Sequence, residues 1–188
     1  MFLEHLYTID DLLKKCKAGD RKAQELLYKQ FAAKMLGVCM RYATDRMEAE
    51  DMLQNGFIKV FGRLNDYRGE GSFEGWVRRI MVHSSIEYYR KHHKMVHVTD
   101  SDETLEQPVN AEVFAKLGAA DLMNLIQQLA PGYRIVFNLY AIEGYSHKEI
   151  GTMIGISEGA SKSQLSRARA ILKEQILKTE SKKYGNAG

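Results

Sequence analysis

Lys162, Ser163, Ser166, Arg167 and Arg169 fall within a base-rich stretch that follows a glycine-containing turn. Ammonium, guanidinium and hydroxyl groups displayed along one helix can reach base edges or phosphates in a major groove. A second set interleaves aromatic rings with cations: Tyr67, Arg68, Phe73, Trp76, Arg78, Arg79, Tyr88, Tyr89, Arg90, Lys91 and Lys94. Unpaired bases stack on aromatic rings at about 1–3 kcal/mol each, while arginines follow the backbone, so this chemistry prefers opened strands to intact duplex. The loop Tyr67–Ser72 suits an unstacked base, because its glycines let backbone approach closely. Trp76 and Tyr88 also suit a helix core. A third set, Glu50, Asp51, Gln54 and Asn55, is a polar stripe on an otherwise apolar helix. Taken alone it reads as an ordinary solvated face.

Other chemistry finds little support. His92, His93 and His97 have no acid or cysteine beside them at ligand spacing, which reads as solvated histidine near phosphate rather than a metal site. There is no nucleophile elbow, no phosphate-cradling glycine loop and no zinc signature. Catalytic residues, metal and cofactor are therefore expected to be absent.

The elements that carry these groups read as helices throughout. Thr8 to Lys17 predicts a short helix stopped by Gly19, and Asp20 caps a long one carrying Ala23, Leu26, Leu27, Phe31, Met35, Val38, Cys39 and Tyr42. Asp45 opens a third, with Glu48 as its capping-box partner. Its inner stripe is Ala49, Met52, Leu53, Gly56, Phe57, Val60, Phe61 and Leu64, and a second stripe carries Met47, Glu50, Asp51, Gln54 and Ile58. After the Tyr67–Ser72 loop, helical spacing resumes from Phe73 to Lys94. Further on, Asp121 to Leu129 predicts a helix, Pro131 starts another that ends at Gly144, and Ser146 with Glu149 boxes the start of Ser146–Ile154. Gly155 turns the chain, Ser157 caps again, and a basic helix runs from Glu158 to Leu177. Helix, short glycine turn and basic helix together have helix-turn-helix spacing.

The 188 residues allow one ordinary domain or two small ones, and 45 % hydrophobic with 27 % charged residues is a globular balance. The longest apolar run is four residues, Leu139 to Ile142, against about 20 for a membrane span. No export signal is evident, and the two separate cysteines fit a reducing cytosol, so a cytoplasmic protein is expected. The net charge of +3 divides into +4 for residues 1–94, −5 for 95–121 and +4 for 122–188. The acidic middle, poor in aromatics and holding Pro108, reads as a flexible linker whose 27 residues reach roughly 90 Å when extended. Two basic modules on such a tether suit one nucleic acid touched at two separated places. The expected architecture is all-α: two small helical domains, 1–94 and 122–180, joined by the linker 95–121, with a tail at 181–188.

At these residues the sequence resembles a bacterial RNA polymerase sigma factor of the extracytoplasmic-function (ECF) group of the sigma-70 family. The resemblance covers roughly 20–94 and 120–177. It is carried by Ala49-Glu50-Asp51-Met52-Leu53-Gln54 with Phe57, by Tyr67-Arg68-Gly69 with Phe73, Trp76, Ile80 and Tyr88-Tyr89-Arg90, and by Tyr145 to Gly151 running into Ser161 to Arg169. It implies that the first module is region 2 and the second region 4. Glu50, Asp51, Gln54 and Asn55 are then expected to dock on the β′ clamp helices of core RNA polymerase. Tyr67, Arg68, Phe73, Trp76, Arg79, His83, Tyr88, Arg90 and Lys91 are expected to open and hold the −10 element of promoter DNA as single strand. Lys162, Ser163, Ser166, Arg167 and Arg169 are expected to read the −35 element in duplex, while region 4 also touches the β flap. The resemblance further implies an anti-sigma partner, no small-molecule substrate and no membrane insertion. Family members usually have Asn at the place of His83, Asp at Glu87, an apolar residue at Ser161 and arginine at Gln164. Two rivals remain on the residues alone. One is a free-standing helix-turn-helix regulator acting without polymerase; the other is a helical nucleic-acid enzyme, which lacks a visible carboxylate or histidine cluster.

Overall fold

Several helices start where a short polar side chain satisfies backbone donors that the first turn leaves open. The computed structural model describes residues 7–92 and 118–185. The fold separates into two units, Met1–Tyr88 and Tyr89–Gly188. The expected linker and the groups Lys94, His93 and His97 fall largely or wholly outside the described residues.

In the first unit Thr8 opens α1 (Ile9–Lys17) with a reciprocal capping box: its hydroxyl accepts from the Asp11 N–H, and the Asp11 carboxylate accepts from the Thr8 N–H. The Thr8 hydroxyl also donates to the Asp11 carboxylate at 2.6 Å, and this bond first, then the one from the Thr8 N–H, holds the Asp11 carboxyl below its ordinary range. Asp20 caps α2 (Arg21–Met40), accepting from the N–H groups of Lys22 and Ala23 at 2.8 and 3.2 Å. Asp45 caps α3 (Arg46–Gly62), but the reciprocal half of the expected box is displaced. The Glu48 carboxylate accepts from the backbone and hydroxyl of Thr44, one residue earlier, because Thr44 offers two donors where Asp45 offers one. A 3-10 turn, Leu64–Asp66, leads into the loop, where Gly69 and Gly71 take positive φ, and α4 (Phe73–His92) follows. The core holds Leu12, Leu27, Phe31, Met35, Met52, Phe57, Val60, Val77, Met81 and Ile86. Gly56 lets α3 and α4 meet closely, since a Cβ there would overlap the Met81 sulfur.

In the second unit α5 (Ala119–Gln128) starts two residues earlier than expected, which places Asp121 in the first turn, a favourable position against the helix dipole. Pro131 begins α6 (Pro131–Phe137). The spacing predicts an uninterrupted α-helix to Gly144, but residues Asn138–Ile142 form a π turn, in which the Glu143 N–H bonds the Asn138 carbonyl at 3.0 Å. α7 (His147–Ile154) has the expected Ser146–Glu149 box, and Gly155 ends it in the left-handed conformation. The Gly151 Cα lies so near the following turn that a Cβ would sit 2.7 Å from the Ile156 carbonyl oxygen, so only glycine fits. α8 (Glu158–Gly185) packs against α6 and α7 and is longer than expected. With no Gly or Pro between Ala160 and Tyr184 to break it, the helix takes in most of the expected tail.

Candidate nucleic-acid and protein interfaces

The outer face of α3 is a straight stripe. Met47, Asp51, Gln54 and Ile58 follow one another at helical intervals, with Glu50 and Asn55 beside them, while Ala49, Met52, Leu53, Phe57 and Val60 are buried on the other side. Asp51, Gln54 and Asn55 are exposed, and Glu50 is half-buried with its carboxylate 2.7 Å from Arg46 Nε. Met47 and Ile58 are 72 % and 70 % exposed. Two uncovered apolar side chains thus bracket the carboxylates and amides of the stripe. The stripe was legible in the sequence, but only the structure shows that its apolar ends are bare.

The loop before α4 is held by its own aromatic residues. The Tyr67 hydroxyl donates to the Gly71 carbonyl at 2.8 Å, and the Ser72 hydroxyl accepts from the Gly75 N–H at 3.1 Å. The Tyr67 ring lies 5.2 Å from Phe73 and 5.6 Å from Trp76, and Phe73 in turn meets Phe31 edge-on at 5.5 Å. Phe73 is buried in this cluster, so it cannot offer a face to a base; it anchors the loop. Trp76, which suited the core in sequence, is half-buried instead.

Along α4, Arg79, His83, Arg90 and Lys91 are exposed, as is Arg68 in the loop. Trp76, Arg79, His83 and Arg90 follow one side of the helix. Tyr88 does not join them, because nine residues beyond Arg79 is two and a half turns, which brings it to the opposite side. Burial first, then the carboxylates of Glu48, Asp51 and Asp45, raise its phenol above the ordinary value, which places it beside the start of α3. His83 is shifted downward by partial burial, then by the Arg79 cation, with Arg63 and Lys59 adding and Glu87 opposing. Its imidazole is therefore neutral at neutral pH. Glu87 pairs with Lys59 of α3 at 2.5 Å.

On α8 the inner side is Ala160, Ser161, Gln164, Leu165, Ala168 and Leu172, all buried. Lys162 is exposed with Ser163, Ser166, Arg167 and Arg169 partly so. Lys162 lies 2.9 Å from Glu158, whose carboxyl is thereby held below its usual range. The Arg169 guanidinium stands 5.6 Å over the Tyr140 ring. Tyr140 stacks on His147 at 4.5 Å, and His147 Nδ1 lies 2.9 Å from the Ser161 hydroxyl. This chain of contacts left no sign in the sequence, since its members are widely spaced. Among the described residues, no three His, Cys, Asp or Glu side chains converge to hold a metal, and no helix is long and apolar enough to cross a membrane.

Two helical units, one ending in a helix-turn-helix and the other carrying the exposed α3 stripe and an aromatic–basic surface, have the features of a nucleic-acid-binding protein. Comparison with known proteins narrows the class. The family model for Sigma-70 region 2 matches residues 27–95, and that for Sigma-70, region 4 matches 119–172. The RNA polymerase sigma-H factor of Pseudomonas aeruginosa is 28 % identical over 183 residues, covering 88 % of this chain and 92 % of that protein. The ECF RNA polymerase sigma factor SigE of Mycolicibacterium smegmatis is 30 % identical over 172 residues, covering 87 % of this chain and 66 % of that one. A co-crystal structure of the sigma factor RpoE with the anti-sigma factor NepR from Bartonella quintana aligns at 19 % identity and TM-score 0.48, covering 82 % of this chain and 96 % of that one. The chain belongs to the sigma-70 family of RNA polymerase sigma factors, in its ECF group. It is a transcription initiation factor, and the free-standing regulator is not favoured.

Proposed function

We propose that the outer stripe of α3 docks on core RNA polymerase, at the β′ clamp helices, through Glu50, Asp51, Gln54 and Asn55 with Met47 and Ile58. The observation that carries this reading is the exposure of Met47 and Ile58 on the same line as the carboxylate of Asp51. The Tyr67–Ser72 loop and the α4 line of Trp76, Arg79, His83, Arg90 and Lys91, with Arg68, hold a displaced strand of the −10 element. Each captured base offsets a few kcal/mol of unstacking. Phe73 supports that surface from beneath, and Tyr88 sits between it and the docking stripe. α8 reads the −35 duplex with Lys162, Ser163, Ser166 and Arg167, while Arg169 is drawn toward Tyr140. The acidic linker 95–121 spans the two promoter elements, and an anti-sigma factor covers the same α3 stripe when transcription is off. The protein makes and breaks no bonds of its own and works in the cytoplasm, beside the polymerase.

The test is binding to core polymerase by wild type and Asp51→Arg. Reversing the charge at the centre of the stripe is expected to weaken holoenzyme formation roughly a hundredfold, about 3 kcal/mol, with the fold unchanged by circular dichroism. Normal holoenzyme formation by the variant overturns the docking face.

A further inference from the structure

We infer that His147 is a positioning residue for promoter discrimination: with Ser161 and Tyr140 it sets the rotation and depth of α8 in the groove. The inference deepens the reading of α8 as the duplex-reading helix and rests on it.

Ser161 is fully buried, one residue before Lys162 on the reading face. A hydroxyl removed from water needs a hydrogen-bonding partner, and His147 Nδ1 meets it at 2.9 Å from the first residue of α7. The same imidazole lies nearly parallel to the Tyr140 ring, 4.5 Å away with 20° between planes. Tyr140 is supplied by the π turn Asn138–Ile142, and without that wide turn the ring's position along the helix would shift. On α8 the Arg169 guanidinium then comes over Tyr140 at 5.6 Å. One stack therefore holds α8 at Ser161 and again at Arg169, eight residues or about 12 Å further along the helix. The segment held between them contains Lys162, Ser163, Ser166 and Arg167.

The apolar inner face, Ala160, Leu165, Ala168 and Leu172, keeps α8 in place but fixes its rotation poorly, because packing is far less directional than a hydrogen bond or a ring stack. Base readout depends on donor–acceptor distances held within a few tenths of an ångström. Removing the directional contacts should therefore leave a folded helix-turn-helix that binds duplex but distinguishes base pairs less well.

The experiment uses holoenzyme assembled from core polymerase and the full chain. Wild type first selects its −35 element from a randomised duplex pool; affinities are then measured for that duplex and for single base-pair substitutions. The variants are His147→Ala, Ser161→Ala, their double, and His147→Asn, whose amide keeps a polar atom near the place of Nδ1. His147→Ala and Ser161→Ala are expected to reduce the ratio of selected to substituted affinity roughly fivefold to tenfold, with the double no worse than the poorer single. His147→Asn should recover part of the ratio. Circular dichroism and core binding should match wild type. Ratios within twofold of wild type in both single variants overturn the inference, as does an equal loss of affinity for every duplex, which is what mere destabilisation produces. If wild type selects no −35 sequence at all, the underlying reading of α8 fails instead, and that outcome is distinct.

Discussion

The interior of the first unit is largely apolar, whereas the second encloses several polar and charged groups. Among the described residues of the first unit, the buried side chains apart from Ser84 and Ser85 are hydrophobic, and Ser85 is satisfied by the Met81 carbonyl at 3.0 Å. The second buries Arg134, Asn138, Ser161 and Gln164. Arg134 donates to the Gln127 carbonyl at 3.2 Å, and the Asn138 amide donates to the Arg134 carbonyl at 2.9 Å. Apolar burial stabilises without fixing orientation; buried polar contacts contribute less net stability but are directional. A platform proposed to take a partner on α3 and a strand along α4 is suited by the first kind of core. A small module whose task is to aim one helix is suited by the second.

The largest effect that would sharpen this contrast is a cavity in the first unit. Leu27 has no exposure, and Leu27→Ala is expected to cost about 3 kcal/mol. Cys39 supplies the readout. Burial pushes its thiol up to about 12, so it is unreactive until the unit opens. Alkylation of Cys39 at neutral pH should then accelerate roughly a hundredfold in the variant. The raised value also has a sign. Its contribution to stability is complete below the ordinary thiol value of 9.0 and is lost as pH rises from there toward 12. An unchanged alkylation rate would show that the core is not what closes this unit.

In the second unit the opposite result is expected from an apolar substitution. Gln164 is 5 % exposed, and its side-chain oxygen is buried with no hydrogen-bond partner among the described residues. Replacing an unsatisfied polar group by an apolar one of similar size removes a desolvation cost, so Gln164→Leu should stabilise the unit by about 1 kcal/mol. Slower hydrogen exchange at the α8 amides would register the gain. Faster exchange would mean that the Gln164 amide does more for the module than its carbonyl oxygen costs.

The two units also differ in how much of them could be read from sequence. Signals confined to four residues were legible: the Asp20, Asp45 and Ser146 caps and the Gly155 turn all act within one helical turn. The polar face of α3 and the basic face of α8 were legible for the same reason, since periodicity along one helix is local. What was not legible depends on a second element. Phe73 looks like any aromatic residue near arginines until Phe31 covers it, and Tyr88 changes side only when the turns of α4 are counted against the position of α3. The π turn gives no compositional sign, and its first two residues, Asn138 and Leu139, are buried against the rest of the unit. Ser161 and His147 are fourteen residues apart, and neither announces the other.

The smallest effect tests whether surface charge contributes to the first unit. Lys59 and Glu87 tie α3 to α4 at 2.5 Å, with side chains 35 % and 65 % exposed. An ion pair this wet is worth about 0.5 kcal/mol, so Glu87→Gln should lower stability by that amount in dilute buffer and by nothing measurable in about 1 M salt. The same substitution has a second, more local consequence. Glu87 is the carboxylate that opposes the downward shift of His83 against Arg79, Arg63 and Lys59. Without it the imidazole must titrate at still lower pH, which NMR of the His83 ring would show directly. If the ring moves while stability does not, Glu87 acts mainly on the electrostatics of the exposed line on α4. If stability falls and the ring stays put, the pair is a structural tie between α3 and α4, and the downward shift of His83 is set by its burial and the cations around it without Glu87.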